Sequence, residues 1–325
     1  MEKTMKPGYS TLIPGLLLSV MTLNGQDTWY GTVSGMHLMY NPAWSGVAGA
    51  PVLNISAYSF LPGNGFALKS VYASCDSYFT DLHGGAGIWI SDDMLGEVMN
   101  DLRAGGSYAY HFRAGKDLYI TAGLSVALIS RGIRTGSIIL PGDIDPLRGI
   151  TGGSSGYTSP ENFSRFDMGT GVSLSSGQWY GGLSVMHLTQ PYLGDDQLEH
   201  NRLKRLYTIT AGGTFAPGRS GLILRPSASL LAQGEDVTAC LGTELLFRGL
   251  MSGLAVWHVS GGFTAAQTSL GWDADPVRFI LSYSYILAGG DVSFKGTAIV
   301  KAGLVFSFNN VEKRRVVHII KLPVL

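Results

Sequence analysis

A serine and a histidine three residues apart are the first residues of this sequence that could do chemistry. Ser184 and His187 lie in a stretch where polar and apolar residues alternate. A histidine beside a serine can act as the base that activates the hydroxyl for nucleophilic attack, as in a hydrolase. In a β-strand, however, an odd separation places two side chains on opposite faces. We therefore expect that these two residues do not act together.

No other familiar motif supplies an active site. The sequence has no H-E-x-x-H, C-x-x-C or Walker pattern. Its two cysteines, Cys75 and Cys240, are far apart, and sequence alone does not decide whether they form a disulfide. We expect that the protein is not an enzyme and that it needs no cofactor.

Several acidic residues could instead hold a metal ion. They lie in two long stretches without strand periodicity, at Asp143, Asp145, Asp195, Asp196 and Glu199. Carboxylate oxygens are good calcium ligands, yet the spacing matches no known calcium loop. We interpret them as solvated loop residues and expect no metal site.

A third group of chemically active residues consists of charges inside apolar, alternating stretches. Each charge falls opposite the apolar residues of its own stretch; the set is Arg103, Arg225, Glu244, Arg278 and Lys301. A charge that faced lipid at the membrane midplane would cost roughly 2–4 kcal/mol, so these side chains are expected to face a lumen. Arg225 and Glu244 are on neighbouring candidate strands and could pair. The set could line a pore or fill a plugged interior.

The elements that must position these residues are seen most clearly at residues 278–285. Alternate side chains separate into two faces, as in a strand. One face carries Phe279, Leu281, Tyr283 and Tyr285, and the other carries Arg278, Ser282 and Ser284. Two aromatic residues at one end of the apolar face are typical of a membrane-interface girdle.

Similar stretches recur along the chain and predict a transmembrane barrel. Charged residues make up only 14% of the sequence and 45 of 325 residues are glycine. Beyond the N-terminus no apolar run reaches the roughly 18 residues of a membrane helix. We count about fourteen candidate strands, with twelve or sixteen as alternatives, and predict an all-β, antiparallel barrel in the bacterial outer membrane, surrounded by its lipid. The formal net charge of zero favours no nucleic-acid partner.

Connection lengths indicate how the barrel is oriented. With an even number of strands both termini lie on one side, and the turns on that side should be short. The two longest gaps, near residues 131–164 and 190–204, fall on the other side, which we expect to be outside the cell. The stretch from Asp76 to Leu82 is longer than this rule allows.

Both ends of the chain differ from the barrel. Lys3 and Lys6 precede an apolar run from Leu12 to Leu23, which is typical of a signal peptide cleaved after Gly25. The basic and partly apolar end of the chain, with Lys313, Arg314 and Arg315, could dock a periplasmic partner or be a frayed end. We predict a signal peptide at 1–25, a periplasmic or luminal segment at 26–49, the barrel at 50–308 and a periplasmic tail at 309–325.

Short motifs along the mature chain resemble the PorP/SprF family of type IX secretion and gliding proteins in Bacteroidetes. In Met39–Gly46, Asn41–Pro42 restricts Asn41 to extended geometry and Gly46 favours a turn. The other matching pieces are Leu102–Arg103 with Tyr108–Tyr110, Phe166–Gly171 with Tyr180–Ser184 and His187–Leu188, Arg225–Ser227, and Arg278–Phe279 with Ser282–Tyr285. The chain departs from the family at Gly296–Ala298, where a His-Glu pair is common, and it lacks a cysteine near its end.

The resemblance implies a barrel without enzymatic activity that works beside the secretion machinery. Its expected partners are periplasmic ring components of that machinery or a secreted surface adhesin. The candidate partner-binding residues are Asn41, Pro42, Lys313, Arg314 and Arg315. The alternative function is a general porin or a channel for hydrophobic substrates.

Overall fold

The computed structural model is a closed antiparallel barrel of fourteen strands, which confirms the predicted fold class. It describes residues 27, 31–60, 68–96, 99–133, 144–145, 149–150, 161–194, 202–218, 221–260, 262–289 and 298–308. The strands are β1 (Val52–Phe60), β2 (Leu68–Phe79), β3 (Gly84–Leu95), β4 (Met99–Arg113), β5 (Leu118–Ile133), the two-residue β6 (Ile144–Asp145) and β7 (Gly149–Ile150), β8 (Glu161–Ser176), β9 (Trp179–Met186), β10 (Leu206–Gly213), β11 (Leu222–Gln233), β12 (Asp236–Phe247), β13 (Leu250–Val259), β14 (Phe263–Ala274), β15 (Val277–Gly289) and β16 (Ala298–Ser307).

Each barrel strand pairs with the next one along the chain, and β1 pairs with β16 to close the wall. The short strands β6 and β7 form a separate hairpin within the connection between β5 and β8, which are themselves direct neighbours. Among the described residues no helix combines the length and the apolar character that crossing a membrane requires.

Side chains alternate between a lipid-facing exterior and a buried interior. In β15, Phe279, Tyr283 and Tyr285 are 46–49% exposed, whereas Ser282 and Ser284 are 1% and 3% exposed. This arrangement follows from the period of two in a strand, because one face meets hydrocarbon and the other meets the lumen. The structure confirms the two faces predicted for this strand, with the apolar face outward and the serine face inward.

The connections divide into two ends of the barrel. At one end, which we call the short-turn end, all six connections have two to eight residues. At the other, the long-loop end, residues 134–160 and 187–205 form the longest connections. The expected irregularity at Asp76–Leu82 was wrong, because β2 continues to Phe79 and only residues 80–83 form the turn.

Pro226 lies inside β11, where a proline removes one donor from the ladder. The β10–β11 ladder ends at the Gly212–Ser227 pair. Beyond it, these two parts of the chain pair again only at an isolated bridge between Phe215 and Leu224. The proline therefore follows the last regular pair, at a gap in the ladder. On its other side Pro226 lies opposite Thr243 of β12.

The described residues 31–49, which precede β1, lie inside the barrel. They form a 3-10 turn at Val33–Met36, the one-turn helix α1 at His37–Tyr40 and a second 3-10 turn at Pro42–Trp44. Asn41 has the extended geometry expected before proline, with φ −147° and ψ 108°. Gly46 follows in a turn at φ 72°. The expected signal peptide at 1–25 and the expected tail at 309–325 lie outside the described residues.

Candidate functional site

Residues 31–49, which we call the luminal segment, supply much of the apolar core inside the barrel. Leu38 and Ala43 are fully buried, and Trp44 is 4% exposed. These side chains pack against inward-facing aromatic residues of the wall, among them Tyr58, Tyr72, Trp89 and Trp257. The lumen is therefore organised as a packed protein interior over the length of this segment.

Glycines in the wall provide the space that the luminal segment occupies. A Cβ at Gly123 would collide with the backbone of Pro42 and Ala43, and one at Gly85 would collide with the backbone of Ser45. A Cβ at Gly182 would lie 2.8 Å from Nδ2 of Asn41. We call Gly85, Gly123, Gly171 and Gly182 the glycine cradle; they lie on strands β3, β5, β8 and β9.

Hydrogen bonds fix the segment in this cradle. Oδ1 of Asn41 accepts from the backbone N–H of Ala43 at 2.9 Å, which caps the second 3-10 turn. Its Nδ2 lies 3.5 Å from the carbonyl oxygens of Val172 and Leu183 in the wall. Further along the segment, the hydroxyls of Ser45 and Ser107 are hydrogen-bonded at 2.7 Å. The backbone N–H of Gly46 donates to Oδ2 of Asp76, also at 2.7 Å.

Asp27, which precedes the luminal segment in the sequence, is also buried in the lumen, with its side chain 5% exposed. The carboxylate forms an ion pair with Arg103 of β4 and lies 2.6 Å from Nε2 of His187, which follows β9. Its backbone N–H donates to Oε1 of Gln233 at 2.8 Å. One residue thus joins three distant parts of the wall near the long-loop end.

These contacts extend into a larger charged network. Asp101 receives two hydrogen bonds from Arg131, at 2.5 and 2.6 Å, and lies 3.7 Å from Arg103. On the opposite side Nδ1 of His187 lies 2.7 Å from Asp167. We call the six residues Asp27, Arg103, Asp101, Arg131, His187 and Asp167 the luminal latch.

Electrostatics determine the charge states at the centre of the latch. Burial alone would raise the pKa of Asp27, but the charges of Arg103 and His187 outweigh burial and hold that pKa well below its usual range. Burial alone would lower the pKa of His187, but the carboxylates of Asp27 and Asp167 raise it to about 9. At neutral pH the latch therefore contains an imidazolium between two carboxylates.

The space beside the latch is small. A cavity lined by Asp27, Arg103, His187 and neighbouring apolar side chains has a volume of about 10 Å³. That is close to the minimum of roughly 10–15 Å³ needed for one water molecule. This part of the lumen is filled by the protein itself.

The structure places all five charges expected in the lumen inside the barrel. Arg103 belongs to the latch. Arg225 and Glu244 are directly opposite on β11 and β12, both are 1% exposed, and their atoms lie 2.5 Å apart. Arg278 forms an ion pair with Asp273 at 2.7 Å. The Lys301 ammonium lies 5.4 Å from the ring centre of Tyr58, in a cation–π contact.

The expectation that Ser184 and His187 face opposite sides of the wall was wrong. Strand β9 ends at Met186, and His187 has a positive φ of 58°, which turns its side chain into the lumen. The two residues still have separate partners. The Ser184 hydroxyl donates to the carbonyl of Tyr40 at 2.5 Å, whereas the imidazole lies between Asp27 and Asp167.

The candidate partner-binding residues lie in different places. Asn41 is 1% exposed and Pro42 is also buried, so both contact the barrel interior. Lys313, Arg314 and Arg315 lie outside the described residues. Both cysteines are free; Cys75 faces outward and Cys240 inward.

The described part of the chain contains no cluster of acidic, histidine or cysteine side chains arranged to hold a metal ion. Of the loop acids, Asp145 is described only as part of β6. Asp143, Asp195, Asp196 and Glu199 lie outside the described residues.

Sequence reasoning missed most of the latch and the whole cradle. Asp27, Asp101, Arg131 and Asp167 were not recognised as functional, and His187 was considered only as a catalytic base. One signal was available for Asp101 and Asp167. Each is a charge on the inward face of an otherwise alternating strand, which is the criterion that identified Arg103.

Comparison with known proteins gives a family and a fold. The model of the family described as type IX secretion system membrane protein PorP/SprF matches residues 23–298. No curated protein sequence matches the chain. The toluene transporter TbuX of Ralstonia pickettii has 11% sequence identity and a TM-score of 0.53, over 88% of this chain and 95% of that one.

Two further solved structures are similar to this barrel. The toluene transporter TodX of P. putida has 10% identity and a TM-score of 0.50, covering 84% of this chain and 94% of that one. Omp33 of Acinetobacter baumannii has 9% identity and a TM-score of 0.43, covering 80% and 100%. At such low identity these similarities bear on the fold alone. The fold shared with TbuX and TodX and the matched family of membrane proteins together identify an outer-membrane β-barrel.

Proposed function

The chain belongs to the PorP/SprF family of type IX secretion system membrane proteins, and from this we propose that it is an accessory barrel of that machinery. In this role it supports the export or the surface attachment of secreted proteins or adhesins. It does so by contacting ring components in the periplasm. The protein acts through binding, with no chemical step.

The observation that carries this proposal is the occupation of the lumen by the luminal segment. A general diffusion pore needs a continuous aqueous path. Here Leu38, Asn41 and Ala43 are at most 1% exposed inside the barrel, and the latch fills the space near the long-loop end. A barrel filled in this way is better suited to hold partners on its surfaces than to conduct solutes.

A hydrogen bond at the short-turn end favours coupling between the tail and the luminal segment. The N–H of Phe308, which follows β16, donates to the carbonyl of Pro51 at 2.9 Å. Pro51 in turn joins the luminal segment to β1. The tail, which begins at residue 309, therefore starts next to the point where the luminal segment leaves the lumen, and we propose that a partner bound to Lys313, Arg314 and Arg315 acts on this segment.

Affinity purification with mass spectrometry tests the proposal. We expect the full chain to retain periplasmic components of the type IX machinery or a secreted adhesin. Deleting residues 311–325, or changing Lys313, Arg314 and Arg315 together to glutamate, should reduce this retention. Heat-modifiable gel migration should remain unchanged in both variants. Equal recovery of partners from the deletion variant would overturn the role of the tail, and recovery of none from the full chain would overturn the function.

The alternative is a channel for hydrophobic substrates. It is favoured by the shared fold with the toluene transporter TbuX, at a TM-score of 0.53. Planar-bilayer recording separates the two functions. A large and stable conductance of the purified protein would contradict the accessory role, whereas a closed barrel that retains secretion components would contradict the channel.

A further inference from the structure

A groove on the outer face of the barrel has the features of a lipid site. It has a volume of about 520 Å³, within the roughly 300–1,000 Å³ of ligand pockets, and lies on β11–β14 near the short-turn end. Six of its eight lining residues come from two cross-strand rows, and the other two, Met251 and Gly271, are paired between these rows. The row at the turn contains Leu222, Phe247 and Leu250, and the next contains Leu245, Ser252 and Leu270.

The second row explains why the surface is concave at this point. Leu245, Ser252 and Leu270 are consecutive cross-strand neighbours on the outward face. Leu270 is 69% exposed and Leu245 is 38% exposed, so both project from the wall. The small Ser252 between them leaves a depression with apolar sides, which suits a hydrocarbon chain.

A cation lies beside the groove, against one of its lining residues. The turn between β12 and β13 consists of Arg248 and Gly249, and the Arg248 guanidinium lies 5.1 Å from the ring centre of Phe247. Within the described part of the chain, no residue forms a hydrogen bond or an ion pair with Arg248. Its five N–H donors are thus available at the membrane boundary.

The backbone of this turn is an unusual place for arginine. Arg248 and Gly249 both have positive φ, 51° and 85°. Two-residue turns of this type favour asparagine, aspartate or glycine, because other side chains are strained at positive φ. Strain of this kind, where it is observed, motivates a functional hypothesis for the residue.

A second donor lies at the same turn. Trp272 of β14 is 64% exposed on the outward face, opposite Leu250. Its indole nitrogen lies 3.4 Å from the position that a Cβ of Gly249 would take. A guanidinium and an indole N–H beside an apolar groove match the phosphate and ester groups of a lipid above its acyl chain.

We propose that this groove binds one glycerophospholipid from the membrane leaflet at the short-turn end. The phosphate pairs with the Arg248 guanidinium, which is suited to bidentate recognition of phosphate, while one acyl chain lies over Ser252 between Leu245 and Leu270. The site lies on the lipid-facing wall and does not depend on the proposed secretion function. It gives the barrel a fixed lipid beside the turn of β12 and β13.

Native mass spectrometry of the detergent-purified full chain tests the site, with dioleoylphosphatidylglycerol as the probe. Changing Arg248 to glutamine should weaken retention of this lipid roughly tenfold, because a charge-assisted pair is lost. Lipid retention by Arg248→Lys should lie between that of the wild type and that of Arg248→Gln, because lysine keeps the charge but loses the fork geometry of the guanidinium. Ser252→Leu should reduce retention while Arg248 is intact.

Arg113 supplies a matched control. It lies at the same end of the barrel, 5.9 Å from the ring centre of Tyr119, but its guanidinium already donates to the carbonyls of Gly115 and Lys116. Arg113→Gln should leave lipid retention unchanged. Heat-modifiable migration shows that each variant is folded.

Two related probes identify the ligand class. Dioleoylglycerol has the same chains without the phosphate and should be retained at least roughly tenfold less well than the phospholipid. Equal retention of both, or an unchanged Arg248→Gln variant, would overturn phosphate recognition. Preferential binding of a tripalmitoylated peptide would show that the groove takes a lipoprotein anchor, which would also overturn the proposal.

Discussion

The carboxamide of Asn41 occupies the space that a side chain at Gly171 would fill. Oδ1 of Asn41 is the nearest atom to the position of a Cβ on Gly171, closer than van der Waals contact allows. These residues are on the luminal segment and on β8, and they meet only when the barrel closes around the segment. The wall and its contents are therefore matched at the level of single atoms.

We predict that adding one methyl group to the glycine cradle displaces the luminal segment. In Gly123→Ala the new Cβ would meet the backbone of Ala43, which cannot rotate away as a side chain could. Overpacking of this kind costs roughly 1–3 kcal/mol. The midpoint of the heat-modifiable gel shift should therefore fall. Maleimide labelling of a cysteine placed at Ser45, in a chain with both native cysteines replaced, should increase.

Gly303→Ala is the matched control for this change. Gly303 lies on the inward face of β16, but the nearest atom to its Cβ position is the Ser56 hydroxyl, at an ordinary 3.7 Å. This variant should behave as the wild type. Equal labelling of position 45 in the two variants would show that the cradle does not hold the segment.

The wall could be predicted from the sequence because its constraint is local. Each strand must alternate between lipid and lumen, so that residues such as Ser282 and Tyr283 carry the signal within two positions. Strand number, connection parity and the inward direction of Arg225 and Glu244 all follow from this pattern. The pairing of Arg225 with Glu244 could also be predicted, because the two residues are on strands that are consecutive in the sequence.

The contents of the lumen could not be predicted, because they depend on contacts between distant residues. Asp27 is 76 residues from Arg103 and 160 residues from His187 in sequence. Nothing local to Asp27 indicates that its carboxylate will be buried with them. The positive φ of His187, which brings its side chain inward, also depends on where β9 ends.

The latch leads to a second prediction, on Asp27. Replacing Asp27 with alanine leaves the buried Arg103 without its closest carboxylate and removes one of the two acids around His187. Breaking a buried pair from one side costs roughly 3–5 kcal/mol. We expect about 3 kcal/mol or less of lost stability, because Asp101 still lies 3.7 Å from Arg103. Urea unfolding of the reconstituted barrel measures the loss, and an unchanged midpoint would contradict the latch.

The third prediction concerns pH. The pKa of His187 is raised from 6.5 to about 9 in the folded protein, so the stabilisation from its charge is complete below pH 6.5 and is lost as the pH rises through about 9. The midpoint of urea unfolding of the reconstituted barrel should therefore fall between pH 7 and pH 10. In His187→Asn this dependence should be absent over the same range.

Acid should act on the same latch through Asp27. Its pKa is lowered in the folded state, so the stabilisation from its charge is present above the usual value of 3.8 and declines as the pH falls below it. The urea midpoint of the reconstituted barrel should therefore be highest near neutral pH and should fall on both sides. A flat profile of the urea midpoint from pH 3 to pH 10 would show that the charges of the latch do not stabilise the barrel.

The last prediction concerns the buried ion pair of Arg225 and Glu244. It compares the loss of one charged partner with the replacement of both by apolar side chains. Both side chains are 1% exposed, so Arg225→Ala should remove the cation that balances a buried carboxylate and cost about 3–5 kcal/mol. The double change Arg225→Met and Glu244→Leu should recover most of this loss, because a packed apolar pair of similar volume needs no compensation for burial. The pair of Arg278 and Asp273 is the control: its side chains are 14% and 24% exposed, and Arg278→Ala should cost no more than about 1 kcal/mol. Equal losses at both sites would mean that water reaches Arg225 and Glu244, and that the lumen at their level is open.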